Sequence, residues 1–148
     1  MDFYPYVPVV LGLAHLRQGD FAAGLPLYEA RKAVGQEARA YRQPLWTSAE
    51  DITDKTVFVY VEQGLGDAIQ FLRYARLLRG ARVVVQVSDP LVALLKTSGI
   101  TVIGLCEAPP PFDYHIPLAS IPLAVGMRLE TIPSAPSYLS ADPARIAL

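Results

Sequence analysis

Residues 55–87 read KTVFVYVEQGLGDAIQFLRYARLLRGARVVVQV, and the fold is decided there. Residues 56–61, TVFVYV, are β-branched and aromatic, as a buried strand requires. Residues 62–66, EQGLG, form a tight glycine loop. Beyond it, Ala68, Phe71, Leu72, Ala75 and Leu78 recur on one face and predict a helix over 67–79, with Arg73, Arg76 and Arg79 mostly off that face. Residues 81–87, ARVVVQV, are a second strand. Strand, glycine loop, helix and strand make a βαβ unit with parallel strands.

The pattern continues downstream. Ser88-Asp89-Pro90 opens a helix with proline preorganised in its first turn, Leu91, Leu94 and Leu95 form its buried face, and Gly99 ends it. Residues 100–105, ITVIGL, are a third strand. Pro109-Pro110-Pro111 is a rigid loop, followed by a short strand near Tyr114–Pro117 and a short helix near Ser120–Gly126. Thirteen prolines, clustered late, predict a loop-rich C-terminal third. The expected class is α/β, a Rossmann-like parallel sheet with helices on both faces.

Upstream, residues 9–34 read as two amphipathic helices. Val10, Leu13, Ala14 and Leu16 mark the first, Gly19 suits a left-handed C-cap, and Asp20 can cap the second. Phe21, Leu25 and Tyr28 lie on one face of that second helix, where Pro26 should kink it or delay its start. Residues 35–54 lack periodicity, and Pro44 and Trp46 pin this connector to a surface, with Trp46 read as simple packing. The organisation is a helical hairpin (1–35), a connector (36–54) and a Rossmann-like domain (55–148).

Composition narrows the function. With 52% hydrophobic and 18% charged residues, the chain can fold. A net charge of −1 offers no field for nucleic acid or an anionic membrane. The apolar N-terminus has no basic n-region, contains two prolines and is too short to span a bilayer, so neither a signal nor a transmembrane segment is expected. The single cysteine, Cys106, reads as a small core hydrophobe. His15 and His115 are far apart, so no metal site is expected, and a cytoplasmic setting is the default.

The segment that carries chemistry is Glu62-Gln63-Gly64-Leu65-Gly66-Asp67. It follows the first strand and opens a helix, where parallel sheets bind ligands and where glycines let a ligand approach free N–H groups. It is no dinucleotide fingerprint: Ile69 stands where a third glycine is needed, and Gln86, Val87 and Ser88 stand where the ribose-binding acid is expected, with Asp89 just beyond. Asp67 has two readings. It caps its helix, where the dipole favours a carboxylate, or it points into a cleft and takes a proton from an acceptor hydroxyl.

The run 55–87 resembles bacterial tetratricopeptide-repeat proteins that carry a glycosyltransferase module. Pro44-Leu45-Trp46, Phe112-Asp113-Tyr114-His115-Ile116-Pro117-Leu118 and Leu129-Glu130-Thr131-Ile132-Pro133 resemble the same family. Leu11-Gly12, Ala14, Gly19, Phe21, Gly24 and Tyr28 resemble one tetratricopeptide repeat, which cannot bury both faces alone. The module is similar to lipopolysaccharide heptosyltransferases and, more distantly, to protein O-GlcNAc transferases, which have the GT-B fold of two Rossmann-like domains facing a cleft. The resemblance implies sugar transfer from a nucleotide donor without a metal, and it maps the proposed general base onto Asp67 after Gly66. Gly64 and Gly66 would shape the loop, and Gln63 and Gln70 would contact the acceptor. GT-B enzymes hold the donor with their C-terminal domain, which residues 1–148 do not include, so no donor or other cofactor is expected on this chain.

Three functions follow as expectations. The chain is an acceptor-side half-enzyme, inactive alone, that needs a partner supplying the second domain. Alternatively, it is an interaction module that kept the fold and lost the chemistry. The third reading is a nucleotide-binding Rossmann protein of another kind. An open half also predicts a homo-oligomer formed through the hairpin.

Overall fold

The computed structural model describes residues 4–34, 39–62 and 64–142. They form two compact units, one of Met1–Tyr41 with Pro122–Ile132, the other of Arg42–Ile121 with Pro133–Leu148.

The first unit begins with helix α1 (Val7–Arg17), α2 (Phe21–Tyr28) and the single turn α3 (Arg31–Val34). Gly19, at φ 83°, makes the reversal that its sequence predicts, and Asp20 caps α2 by accepting from the Ala23 N–H at 3.1 Å. That bond and a 3.0 Å contact with the His15 ring hold the Asp20 carboxyl below its ordinary pKa. Pro26 does not delay α2, which starts at Phe21. It withholds the N–H that the Ala22 carbonyl would accept, and the helix stops two residues later, so 21–34 is two helices rather than one. Arg31 is buried with its guanidinium over the Tyr28 ring, 4.7 Å from the centroid, and it bonds Glu29 at 2.6 Å.

Backbone proximity holds α1 to α2. A Cβ on Gly12 would lie 2.7 Å from the Tyr28 nitrogen, and one on Gly24 would lie 2.9 Å from the Leu16 nitrogen. This crossing corrects the expected buried face of α1. Gly12 is its buried residue and Leu16 is half-buried, while Ala14 is exposed, as are Val10 (62%) and Leu13 (49%). Side chains flanking the glycine seam are turned outward because the seam leaves no room for them.

The second unit is built on a four-stranded, all-parallel sheet: β1 (Thr56–Tyr60), β2 (Arg82–Val87), β3 (Thr101–Gly104) and β4 (Tyr114–Pro117), in the order β3-β2-β1-β4. This α/β arrangement is consistent with a Rossmann-like fold. Phe58 pairs with Val84 on one side and His115 on the other, which sets the register. Helices α4 (Leu65–Ala75) and α5 (Asp89–Lys96) form the two crossovers and touch each other, as right-handed connections on one sheet face require. Helix α4 begins two residues before its predicted start and ends at Ala75, where N–H bonds to the third preceding carbonyl tighten the chain through Leu78.

The β3–β4 link is the rigid proline loop that its sequence predicts. Residues 105–113 contain no helix, because three consecutive prolines supply no N–H donors. The link instead lays Phe112 on Phe58, ring centroids 5.0 Å apart. Gln86, buried on the same face, donates to the carbonyls of Gly104 (3.3 Å) and Glu107 (3.1 Å) and ties the link to the sheet. The connector is pinned as its sequence suggests: Leu45 bridges to His115 along the outer edge of β4, Trp46 is buried, and its Nε1–H donates to the Glu50 carbonyl. The predicted late helix is a 3₁₀ turn, Leu118–Ser120, leading into α6 (Ile121–Ala124), and a second such turn spans Leu129–Thr131.

Gly12→Ala should lower stability by about 1–3 kcal/mol, the cost of forcing a methyl against packed backbone. Urea denaturation followed by circular dichroism checks this, with Gly66→Ala, where no atom lies within 4 Å of the added carbon, as the control.

Candidate functional site

The strand order places the candidate site. The chain winds from β1 to β2 to β3 in one direction and returns to set β4 on the opposite side of β1. Ligands of open α/β sheets bind beyond the carboxyl ends of the strands where the order reverses. Here that point lies between the ends of β1 and β4. The turn from β1 into α4 forms one wall, and the buried turn Leu118–Ser120, packed against α4, lies beside it.

Gly64 is the N-cap of α4, in extended conformation (φ −64°, ψ 172°), and its carbonyl accepts the Ala68 N–H at 3.1 Å. Gly64, Leu65 and Gly66 are exposed, so the turn is open to solvent. A glycine in a first helical turn costs helix stability, yet nothing lies within 4 Å of where a Cβ on Gly66 would be. Local packing therefore does not require glycine at 66, and its effect is an unobstructed approach to the backbone.

Asp67 is half-buried in the first turn of α4, its Oδ2 3.9 Å from where a Cβ on Gly64 would lie. The carboxylate is folded back toward the helix start, where the dipole favours negative charge. It accepts no hydrogen bond among the described residues, and Gly64 provides no side-chain cap. The structure thus places Gly64, Gly66 and Asp67 on one short turn. Gln70 follows Asp67 by one helical turn and is exposed, with its carbonyl accepting from Arg73 Nε at 2.9 Å. Gln63 lies outside the described residues.

Gln86 is committed to two carbonyls, and Asp89 receives the Cys106 thiol at 3.4 Å while its carboxylate packs against Gly104. A Cβ on Gly104 would lie 2.1 Å from the Asp89 carboxylate, so any larger residue there displaces that side chain. Cys106 is exposed, which corrects its reading as a core residue. The loop it occupies turns outward after β3, and the carboxylate of Asp89 holds its thiol above the ordinary pKa. Among the described residues no cluster of histidine, cysteine or acidic groups could hold a metal ion, and no helix is long and apolar enough to cross a membrane.

Tyr138 is a support that the sequence reading missed. Its hydroxyl donates to the Ile69 carbonyl at 2.7 Å, and the Arg73 guanidinium sits over its ring, 4.9 Å from the centroid. The proline-rich tail is thereby fastened to α4 within two turns of Asp67. No periodic pattern marks this contact; a lone aromatic among prolines and serines was its sole signal.

In comparisons with known proteins, no family, no curated protein and no solved structure matches this chain.

Asp89→Asn removes the negative charge beside the thiol, lowers the pKa of Cys106 and raises its thiolate fraction. Alkylation of Cys106 by iodoacetamide at pH 8 should be severalfold faster in the variant.

Proposed function

We propose that the α/β unit is the acceptor-side half of a sugar-nucleotide-dependent glycosyltransferase of GT-B architecture, preceded by a tetratricopeptide-like helix pair. One observation carries the reading. An exposed glycine turn opens α4 at the reversal of strand order, and a half-buried carboxylate with no hydrogen bond to accept among the described residues stands in its first turn. In this reading Asp67 is the general base. It takes the proton of an acceptor hydroxyl as that oxygen bonds to the sugar's anomeric carbon and the nucleoside diphosphate departs with its bonding electrons. Gly64 and Gly66 keep the backbone approachable, and Gln63 and Gln70 contact the acceptor. The donor is held by a second domain that faces this one, and turnover needs both. The reducing cytoplasm, where a lone thiol such as Cys106 persists, is the setting.

The test is turnover of a sugar nucleotide by the chain mixed with a separately expressed donor-binding half. Asp67→Asn should slow that turnover by about 10²–10⁴-fold, the usual worth of a general base. Gly66→Ala should stabilise the fold by about 0.5–1 kcal/mol while reducing turnover. An Asp67→Asn variant as active as the parent ends the catalytic reading.

A second reading has its own support. Tyr6 (57% exposed), Val7, Val10, Leu11 and Leu13 leave α1 with an exposed apolar surface. A protein that kept the fold and lost the chemistry would use this helix pair for self-association. Light scattering should then give a mass above the 16.1 kDa of one chain, and Val10→Glu with Leu13→Glu should return it to the monomer. A monomeric parent at high concentration excludes this reading.

A further inference from the structure

At the opposite end of the sheet from the glycine turn, the second unit carries an open, solvent-facing groove of about 450 Å³, with Arg82, Thr101, Pro110 and Pro111 of its lining exposed. It lies at the amino ends of the strands, between the sheet and the proline run of the β3–β4 link. Val84, Pro110 and Pro111 give it apolar walls, and Val83 lines it from the strand backbone. The first residues of three neighbouring strands, Thr56, Arg82 and Thr101, complete the lining. This size lies within the range of small-molecule sites, and apolar walls with a few polar groups are their usual composition.

Arg82 is the one cation of that lining. Among the described residues its guanidinium has neither an ion-pair nor a hydrogen-bond partner. Asp113, an acid held to the same end of β1, is already engaged: its carboxylate accepts the Thr56 N–H at 2.8 Å. A guanidinium presents a planar fork of donors that matches a carboxylate bidentately. The proline rings and valine methyls favour a flat or branched hydrocarbon body. A phosphate monoester, with nearly two negative charges, would call for a second cation that the lining lacks.

We propose that this groove is a binding site for a small monocarboxylic acid with an apolar body, its carboxylate on Arg82 and its hydrocarbon between Val84 and the Pro110-Pro111 face. The site is independent of the glycine turn. It shares no residue with Gly64–Gln70, and its ligand is neither a sugar nor a nucleotide.

The experiment titrates the ¹⁵N-labelled chain with 4-isopropylbenzoate and, separately, with its uncharged isostere 4-isopropylbenzamide. Saturable shifts are expected at the amides of Thr56, Val83, Val84 and Thr101, with the carboxylate binding at least tenfold more tightly than the amide. Arg82→Gln, at an exposed position, should abolish that preference. Thr101→Trp, also exposed, should block both ligands by filling the groove. The proposal is overturned by equal affinity for acid and amide, by unchanged binding in Arg82→Gln, by the absence of saturable shifts at those amides, or by shifts centred on Leu65–Gln70. Apart from shifts at Leu65–Gln70, these outcomes do not bear on Asp67 and sugar transfer.

Discussion

The α/β unit depends on the two-sided pairing of β1. This five-residue strand is hydrogen-bonded in parallel to β2 on one edge and β4 on the other, and Val57, Phe58 and Val59 are fully buried. Parallel neighbours cannot be joined by a tight turn, so each pairing obliges the chain to make a crossover. The β1–β2 and β2–β3 crossovers are α4 and α5. The return from β3 to the far side of β1 is the proline link. All else in the unit follows from the position of β1: the face that the helices cover, the face that the link covers, and the reversal of strand order at its carboxyl end.

The two ends of the sheet are consequently unlike. At the carboxyl ends, α4 starts on exposed glycines with Asp67 in its first turn, and Tyr138 fastens the tail to the same helix through the Ile69 carbonyl. At the amino ends, Arg82 stands beside prolines and valines. Between the two ends, on the proline-covered face, Gln86 donates to the carbonyls of Gly104 and Glu107.

In the helical unit, close backbone approach does the work that large side chains do elsewhere. Gly12 and Gly24 bring α1 and α2 into near contact, and dispersion is effective only at such distances. Apolar residues beside the seam then face outward. The same glycines that stabilise the pair thus create the exposed apolar surface on which an association reading rests.

The amino-acid sequence by itself determined the alternation of strands and helices, the caps at Gly19 and Asp20, the proline start of α5 and the glycine turn before Asp67. Each is a local matter of side-chain periodicity, missing N–H donors or permitted backbone angles, and nearby residues suffice to specify it. The tertiary structure alone decided that β4 lies beside β1, that the second sheet face is covered by a proline link, that Cys106 is exposed beside Asp89, and that Val10 and Leu13 point away from the helix seam. These depend on which distant surfaces meet. Hydrophobic burial rewards any apolar contact, so a pattern of apolar residues says that a face will be covered without saying by what.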